Sequence, residues 1–139
     1  MWAWSDAWLL TAAYFTGENP VSLRALIAAG DAINHAIFMD SEIDDGLARL
    51  EAAGLTRLDG DSIVLTDDAI RLCGRAVKST GYMFEATEKV EAELRQIDLS
   101  DKELQPVEVS KTALAAAIDQ YHEDAAREIA ELRAADPDS

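Results

Sequence analysis

The sequence is poor in the residues on which most reactive sites depend. Among 139 residues there are one cysteine and two histidines. A lone cysteine, Cys73, excludes an internal disulfide and gives no sign of an oxidising compartment. No stretch reaches the roughly 18 consecutive apolar residues of a spanning helix, and the first residues lack the basic and apolar regions of a signal peptide. We therefore expect a soluble cytoplasmic protein without membrane contact.

Basic residues are scarce as well. Twelve lysines and arginines stand against 27 acidic residues, which gives a formal net charge of −15. Such a charge repels phosphate backbones and anionic lipid headgroups, and it suits a basic protein partner or simply high solubility. The sequence also contains no phosphate loop, dinucleotide fingerprint or nucleophile elbow. We expect a protein that is not an enzyme and that uses neither cofactor nor metal.

What the sequence does contain is a series of amphipathic segments at helical spacing. Six helices are predicted, five of which open near a capping side chain: Ser5, Ser22, Ser41, Thr66 and Ser110. The second segment, residues 23–37, is long for one helix, so an irregularity is expected near Gly30 or Asp31. Between the third and fourth helices, two short strands flank Asp59-Gly60-Asp61, which predicts a β-hairpin.

Two segments carry a resemblance to a known class of proteins. Residues 47–55, Leu-Ala-Arg-Leu-Glu-Ala-Ala-Gly-Leu, lead into the hairpin, and Leu-Thr-Asp-Asp-Ala follows it at residues 65–69. This pattern resembles the winged-helix regulators of the MarR and PadR kind, and residues 31–38 are similar to an element of uncharacterised bacterial winged-helix proteins. The resemblance covers about residues 6–80.

The resemblance implies a mainly α fold with a small β-hairpin wing, of the α+β class. We expect a winged helix-turn-helix domain at residues 1–80 and a two-helix C-terminal extension at residues 81–134, which either dimerises or folds back. A disordered tail is expected at residues 135–139.

The outward face of the third helix and the wing departs from that family. In such regulators the third helix enters the major groove and the wing grips phosphates, yet here the face is acidic. Because phosphate contacts normally supply most of the affinity, we expect a protein-interaction or regulatory module, with a DNA-binding regulator as the alternative. The predicted interaction face comprises Asp44, Asp45, Ala48, Arg49, Ala52, Arg57, Asp59 and Asp61.

One polar cluster and one thiol remain as candidates for chemistry. Asp31 and His35 stand four residues apart and can pair on a helix, with Asn34 beside them. A metal or small-ligand site there is a lower alternative, since a metal site needs three or four converging ligands. The commoner explanation is that the cluster is structural. Cys73 is expected to be an inert core residue.

Apolar residues near both ends of the chain predict self-association. Trp2 and Trp4 precede the first helix, and the fifth and sixth helices each carry an apolar stripe. We expect a homodimer, together with an unidentified protein partner of basic character; the alternative is that both helices fold back on their own domain. The predicted dimer surface comprises Trp2, Trp4, Met83, Val90, Leu94, Leu114, Ile118, Tyr121 and Ile129.

Overall fold

The computed structural model describes residues 1–135, which form six helices and one two-stranded hairpin. The prediction of a mainly helical fold with a small hairpin and C-terminal helices is confirmed. In chain order the elements are α1 (Trp4–Phe15), α2 (Leu23–Asn34), α3 (Asp40–Ala52), β1 (Thr56–Asp59), β2 (Ser62–Leu65), α4 (Asp67–Lys78), α5 (Met83–Leu94) and α6 (Lys111–Ala135).

The hairpin lies where its turn residues predict it. The antiparallel strands pair in the register Thr56 with Leu65 to Asp59 with Ser62. Gly60, in the turn, has a φ of 62°, which a residue without a Cβ adopts at little cost. Val21 adds an isolated bridge to Ile63, with N–H···O distances of 2.7 and 2.9 Å. The hairpin is thereby tied to the chain between α1 and α2.

Carboxylates rather than serines define the starts of α1 and α3. Asp6 Oδ2 accepts from the backbone N–H of Ala3 at 2.8 Å, and Glu42 Oε1 accepts from that of Met39 at 2.9 Å. Each carboxylate reaches back from the third helical position, as in half of a capping box. The prediction that Ser5 and Ser41 cap these helices was wrong by two residues in each case, since the capping positions are Ala3 and Met39. The caps predicted at Ser22, Thr66 and Ser110 are confirmed.

The second helix is shorter than its apolar pattern predicts. It continues without a break through Gly30 and ends at Asn34, where His35 takes a left-handed conformation with a φ of 54°. The irregularity expected near Gly30 is therefore absent from this helix. Gly30 serves packing instead, because a Cβ there would lie 2.3 Å from Cε2 of Phe38.

A single hydrophobic core joins the first 80 residues to the C-terminal helices. The central helix α1 packs against α2, α3, α4 and α5, while α6 packs against α2. Val90 of α5 and Leu114 of α6 belong to the same buried cluster as Leu10 and Leu47. Of the predicted tail, Ala135 ends α6, and residues 136–139 lie outside the described part of the chain.

The two halves of α6 differ in their surroundings. Leu114 and Ala117 are buried against the body, whereas residues 126–135 are exposed on every side of the helix. We call this exposed part the α6 tip, and residues 111–125 the α6 root. Across residues 1–135, no helix combines the length and the apolar character needed to cross a membrane.

Gly46 permits the close approach of α3 to α1, which predicts a sharp cost for a methyl group there. A Cβ at Gly46 would lie 2.9 Å from Leu9 Cδ2 and 3.1 Å from Asp6 Oδ1. We expect Gly46→Ala to lower the free energy of unfolding by about 1–3 kcal/mol, because overpacking shifts neighbouring side chains. Urea denaturation measures this.

Gly74→Ala is the matched control within α4. Its nearest contact would be the Tyr14 hydroxyl at 3.9 Å, which is ordinary van der Waals distance. Alanine should stabilise this helix by about 0.5–1 kcal/mol. Equal effects of the two substitutions would contradict the assigned role of Gly46.

Candidate functional site

A buried ion pair fixes how α3 is oriented on α1. Arg49 Nε donates to Asp6 Oδ2 at 2.7 Å, and Arg49 Nη2 donates to Asp6 Oδ1 at 3.0 Å. Asp6 is fully buried, and the Arg49 side chain is 20% exposed. The hydrogen bond to Asp6 raises the pKa of the Arg49 guanidinium. Arg49 therefore faces inward and does not contribute to the outward face of α3, contrary to the sequence prediction.

The segment between α5 and α6, residues 95–110, crosses α3 and the β1–β2 hairpin, which corresponds to the predicted wing. We call this segment the connector. The backbone N–H of Val109 donates to Asp44 Oδ1 at 3.1 Å, and that of Ser110 donates to Asp61 Oδ1 at 3.0 Å. Val109 itself is 2% exposed. Two carboxylates predicted to meet a partner thus bind the protein's own backbone.

The C-terminal part of α3 faces another part of the connector. Ala48 and Ala52 are half-buried and, with Glu51, line a cavity of about 170 Å³ whose opposite wall is Glu103 and Gln105. The connector therefore covers part of the outward face of α3, and Glu103 adds a negative charge beside it. The residues of the predicted interaction face therefore fall into two groups. Some contact the connector or the protein's own core, and three remain exposed without a connector contact: Asp45, Arg57 and Asp59.

The polar cluster predicted on α2 is not brought together as a ligand site. Asp31 Oδ2 accepts from the Tyr121 hydroxyl of α6 at 2.5 Å. His35 is exposed at the end of α2, and Asn34 is half-buried. Among residues 1–135, no group of three or more histidine, cysteine, aspartate or glutamate side chains is placed to hold a metal ion. Asp31 instead helps to attach α6.

A second polar contact attaches the α6 root to α2. Arg24 Nε donates to Asp124 Oδ2 at 2.7 Å, and Gln120 Nε2 donates to Asp124 Oδ1 at 2.9 Å. The bond from Arg24 lowers the pKa of Asp124. In the sequence Arg24 and Asp124 are 100 residues apart, so no local pattern predicts their contact.

The predicted dimer surface is largely used inside the chain. Trp2 is 7% exposed, and its Nε1 donates to the carbonyl of Ile97 at 2.9 Å. Val90, Leu94 and Leu114 are also buried, so these four residues are not available to a partner. Three others are half-buried and two are exposed: Trp4, Ile118 and Tyr121, then Met83 and Ile129.

An aromatic row runs outward from the core through α1. Phe38 stacks on Trp8 with ring centroids 3.7 Å apart, Trp8 stacks on Trp4 at 6.0 Å, and Trp4 meets Phe84 at 6.0 Å. The indole Nε1 of Trp8 donates to the Gly30 carbonyl at 3.0 Å. The row joins residues from three segments, α1, α5 and the turn between α2 and α3, so no local sequence pattern predicts it.

The single thiol lies in a setting that suppresses reactivity. Cys73 is buried in α4, and burial raises its pKa to about 12. The thiolate is the nucleophilic form of cysteine. At neutral pH this thiol is therefore overwhelmingly protonated and inaccessible, as expected of a core residue.

Comparison with known proteins finds no significant match to a protein-family model, to a curated protein or to a solved structure.

The Asp6–Arg49 pair predicts a large loss of stability when one partner is removed. Arg49→Met keeps the length of the side chain but leaves a fully buried carboxylate without its cation. We expect the free energy of unfolding to fall by about 3 kcal/mol or more, as is usual for half of a buried pair. The control is Arg71→Met, which breaks an exposed pair with Asp68 and should cost less than about 1 kcal/mol. Similar losses in urea melts would argue against this role of Arg49.

The Tyr121–Asp31 bond predicts that alkali loosens α6. Hydrogen bonding to Asp31 raises the pKa of Tyr121, so the bond contributes stability below the unfolded value of about 10. That contribution is lost as pH rises through the folded pKa, because the phenolate no longer donates. Ultraviolet titration of the natural sequence should show a tyrosine transition displaced above the unfolded value, and Tyr121→Phe should lack it. The exposed Tyr82 provides the control, since Tyr82→Phe should retain that transition.

Proposed function

We propose that the protein is a non-enzymatic interaction module whose third helix and wing do not read DNA. The observation that carries this proposal is the pair of backbone hydrogen bonds from the connector to Asp44 and Asp61. They place a segment of the chain across the face through which a winged helix-turn-helix would enter a groove.

The charge of that region supports the same conclusion. The exposed carboxylates around α3, the wing and the connector include Asp45, Asp59 and Glu103, and Arg49 is taken up by Asp6. Binding to a duplex depends on cations that release counterions from phosphates. A surface of this composition repels a duplex and favours a partner that is a protein.

A DNA-binding regulator is the second candidate, and the order of elements favours it. Three helices, a hairpin and a fourth helix follow one another as in the regulators that the sequence resembles. If the connector were displaced, α3 and the wing would become accessible. The two candidates therefore differ in whether the surface of α3 and the wing beneath the connector can bind DNA.

A DNA-binding measurement with the connector released separates the two candidates. The double variant Asp44→Ala, Asp61→Ala removes the acceptors of both connector contacts and reduces the negative charge by two. Fluorescence anisotropy with mixed-sequence duplex at low salt should show no binding by this variant or by the natural sequence. The matched control, Asp45→Ala with Asp59→Ala, makes the same charge change beside the connector.

Binding by the released variant alone would contradict the proposal. Ordinary non-specific binders have dissociation constants of roughly 10⁻⁴ to 10⁻⁶ M at physiological salt, and the affinity falls steeply as salt rises. Such a salt-dependent signal would identify the connector as a cover over a DNA-binding surface.

A further inference from the structure

The α6 tip leaves an apolar stripe uncovered. Ile129 and Leu132 are 50% and 66% exposed. They continue the line of Ile118, Tyr121 and Ala125, which are half-buried at the α6 root. Steps of three and four residues keep all five on one side of a helix. The stripe thus runs without interruption from the body to the free end of α6.

The spacing of this stripe is symmetric about Ala125. Tyr121 and Ile129 lie four residues before and after it, and Ile118 and Leu132 lie seven residues before and after it. An antiparallel pair of identical helices needs this arrangement, since a two-fold axis at Ala125 sets each tip residue opposite a root residue of the other copy. The small side chain at the axis lets the two backbones approach.

The distribution of charge also favours a second copy. The whole chain carries a net charge of −15, so two bodies repel each other. Residues 126–135 contain two arginines and two glutamates, whose charges cancel. The α6 tip is therefore a neutral segment. In an antiparallel pairing about Ala125, each neutral tip lies against the α6 root of the other copy, so the contact adds no like-charged segment to the repulsion between the bodies.

The size of the stripe sets the strength of the contact. Fourteen residues separate Ile118 from Leu132, which is roughly 21 Å of helix. Pairing two such faces buries on the order of 1,000 Å² in total, near the lower limit of specific interfaces. A reversible dimer is the form that this area supports.

We infer that a second copy of the chain covers this stripe, with two α6 helices pairing antiparallel about Ala125. This goes beyond the proposed function and does not depend on it, because α3 and the connector take no part in the contact. It replaces the broader dimer surface predicted from the sequence, whose Trp2, Val90, Leu94 and Leu114 are buried in the chain's own core.

Sedimentation of the full chain over micromolar to submillimolar concentrations tests the dimer. The natural sequence should pass from monomer to dimer, and added salt should strengthen the dimer by screening repulsion between the bodies. Ile129→Lys should weaken dimerisation at least tenfold, although the added cation reduces that repulsion. Ala130→Lys makes the same charge change on the opposite side of the tip and should leave the dimer intact.

Both lysine substitutions fall on exposed helical positions, so the circular dichroism spectrum and the melting temperature of the monomer should not change. A chain that stays monomeric at submillimolar concentration would overturn the inference. So would equal weakening by the two variants.

Disulfide crosslinking tests the antiparallel register. The natural Cys73 is buried, so an engineered cysteine on α6 is the reactive thiol. Ala125→Cys, at the two-fold axis, should yield a covalent dimer under mild oxidation. Leu132→Cys should not, because the two copies of residue 132 lie about 21 Å apart in this register. A crosslink through residue 132 without one through residue 125 would refute the antiparallel arrangement.

Discussion

The rest of the structure depends on the crossing of α1 and α3, which Asp6 and Arg49 hold. Asp6 is fully buried and caps its own helix at Ala3, and it also accepts two bonds from Arg49. A buried carboxylate is tolerated only with such compensation. Because Gly46 has no side chain, α3 lies close enough for the pair to form. The crossing determines that Arg49 faces inward and Asp44 outward, which in turn creates the acceptor for the connector.

The contacts of the connector give the outward carboxylates of α3 and the hairpin a structural role. A helix that follows a turn and precedes a wing is exposed in proteins that enter a DNA groove. Here Asp44 and Asp61 accept backbone N–H groups that would otherwise lack partners near the start of α6, and Val109 is buried beside them. Satisfying those groups internally is a structural use of carboxylates. An acidic surface at this position therefore need not be explained by an external basic partner.

Short sequence patterns predicted those features of the structure that depend on residues close together in the chain. The hairpin followed from the glycine between two short strands, and the starts of α2, α4 and α6 followed from single hydroxyl side chains. The candidate site could not be predicted in this way, since Arg49 and Asp6 are 43 residues apart and Tyr121 and Asp31 are 90 apart. Rotation by 100° per residue places Arg49 beside the outward face of an isolated helix, and only the position of Asp6 across the crossing turns it inward. The burial of Trp2 likewise depends on the distant carbonyl of Ile97.

The sixth helix consists of a root that packs on the body and a tip that does not. This difference determines how a partner would affect the stability of the tip. The α6 root is held by Leu114 in the core and by the bonds of Tyr121 and Asp124 to α2. A ten-residue helix is marginal in water because nucleation is costly; the α6 tip avoids that cost by continuing a helix that the root has already nucleated. Any molecule that covers Ile129 and Leu132 binds the helical form of the tip in preference to the frayed form, and so stabilises it by mass action. The polar contacts of the root thus keep the tip helical in the free protein. A partner that binds the tip therefore pays a smaller entropic cost for ordering it.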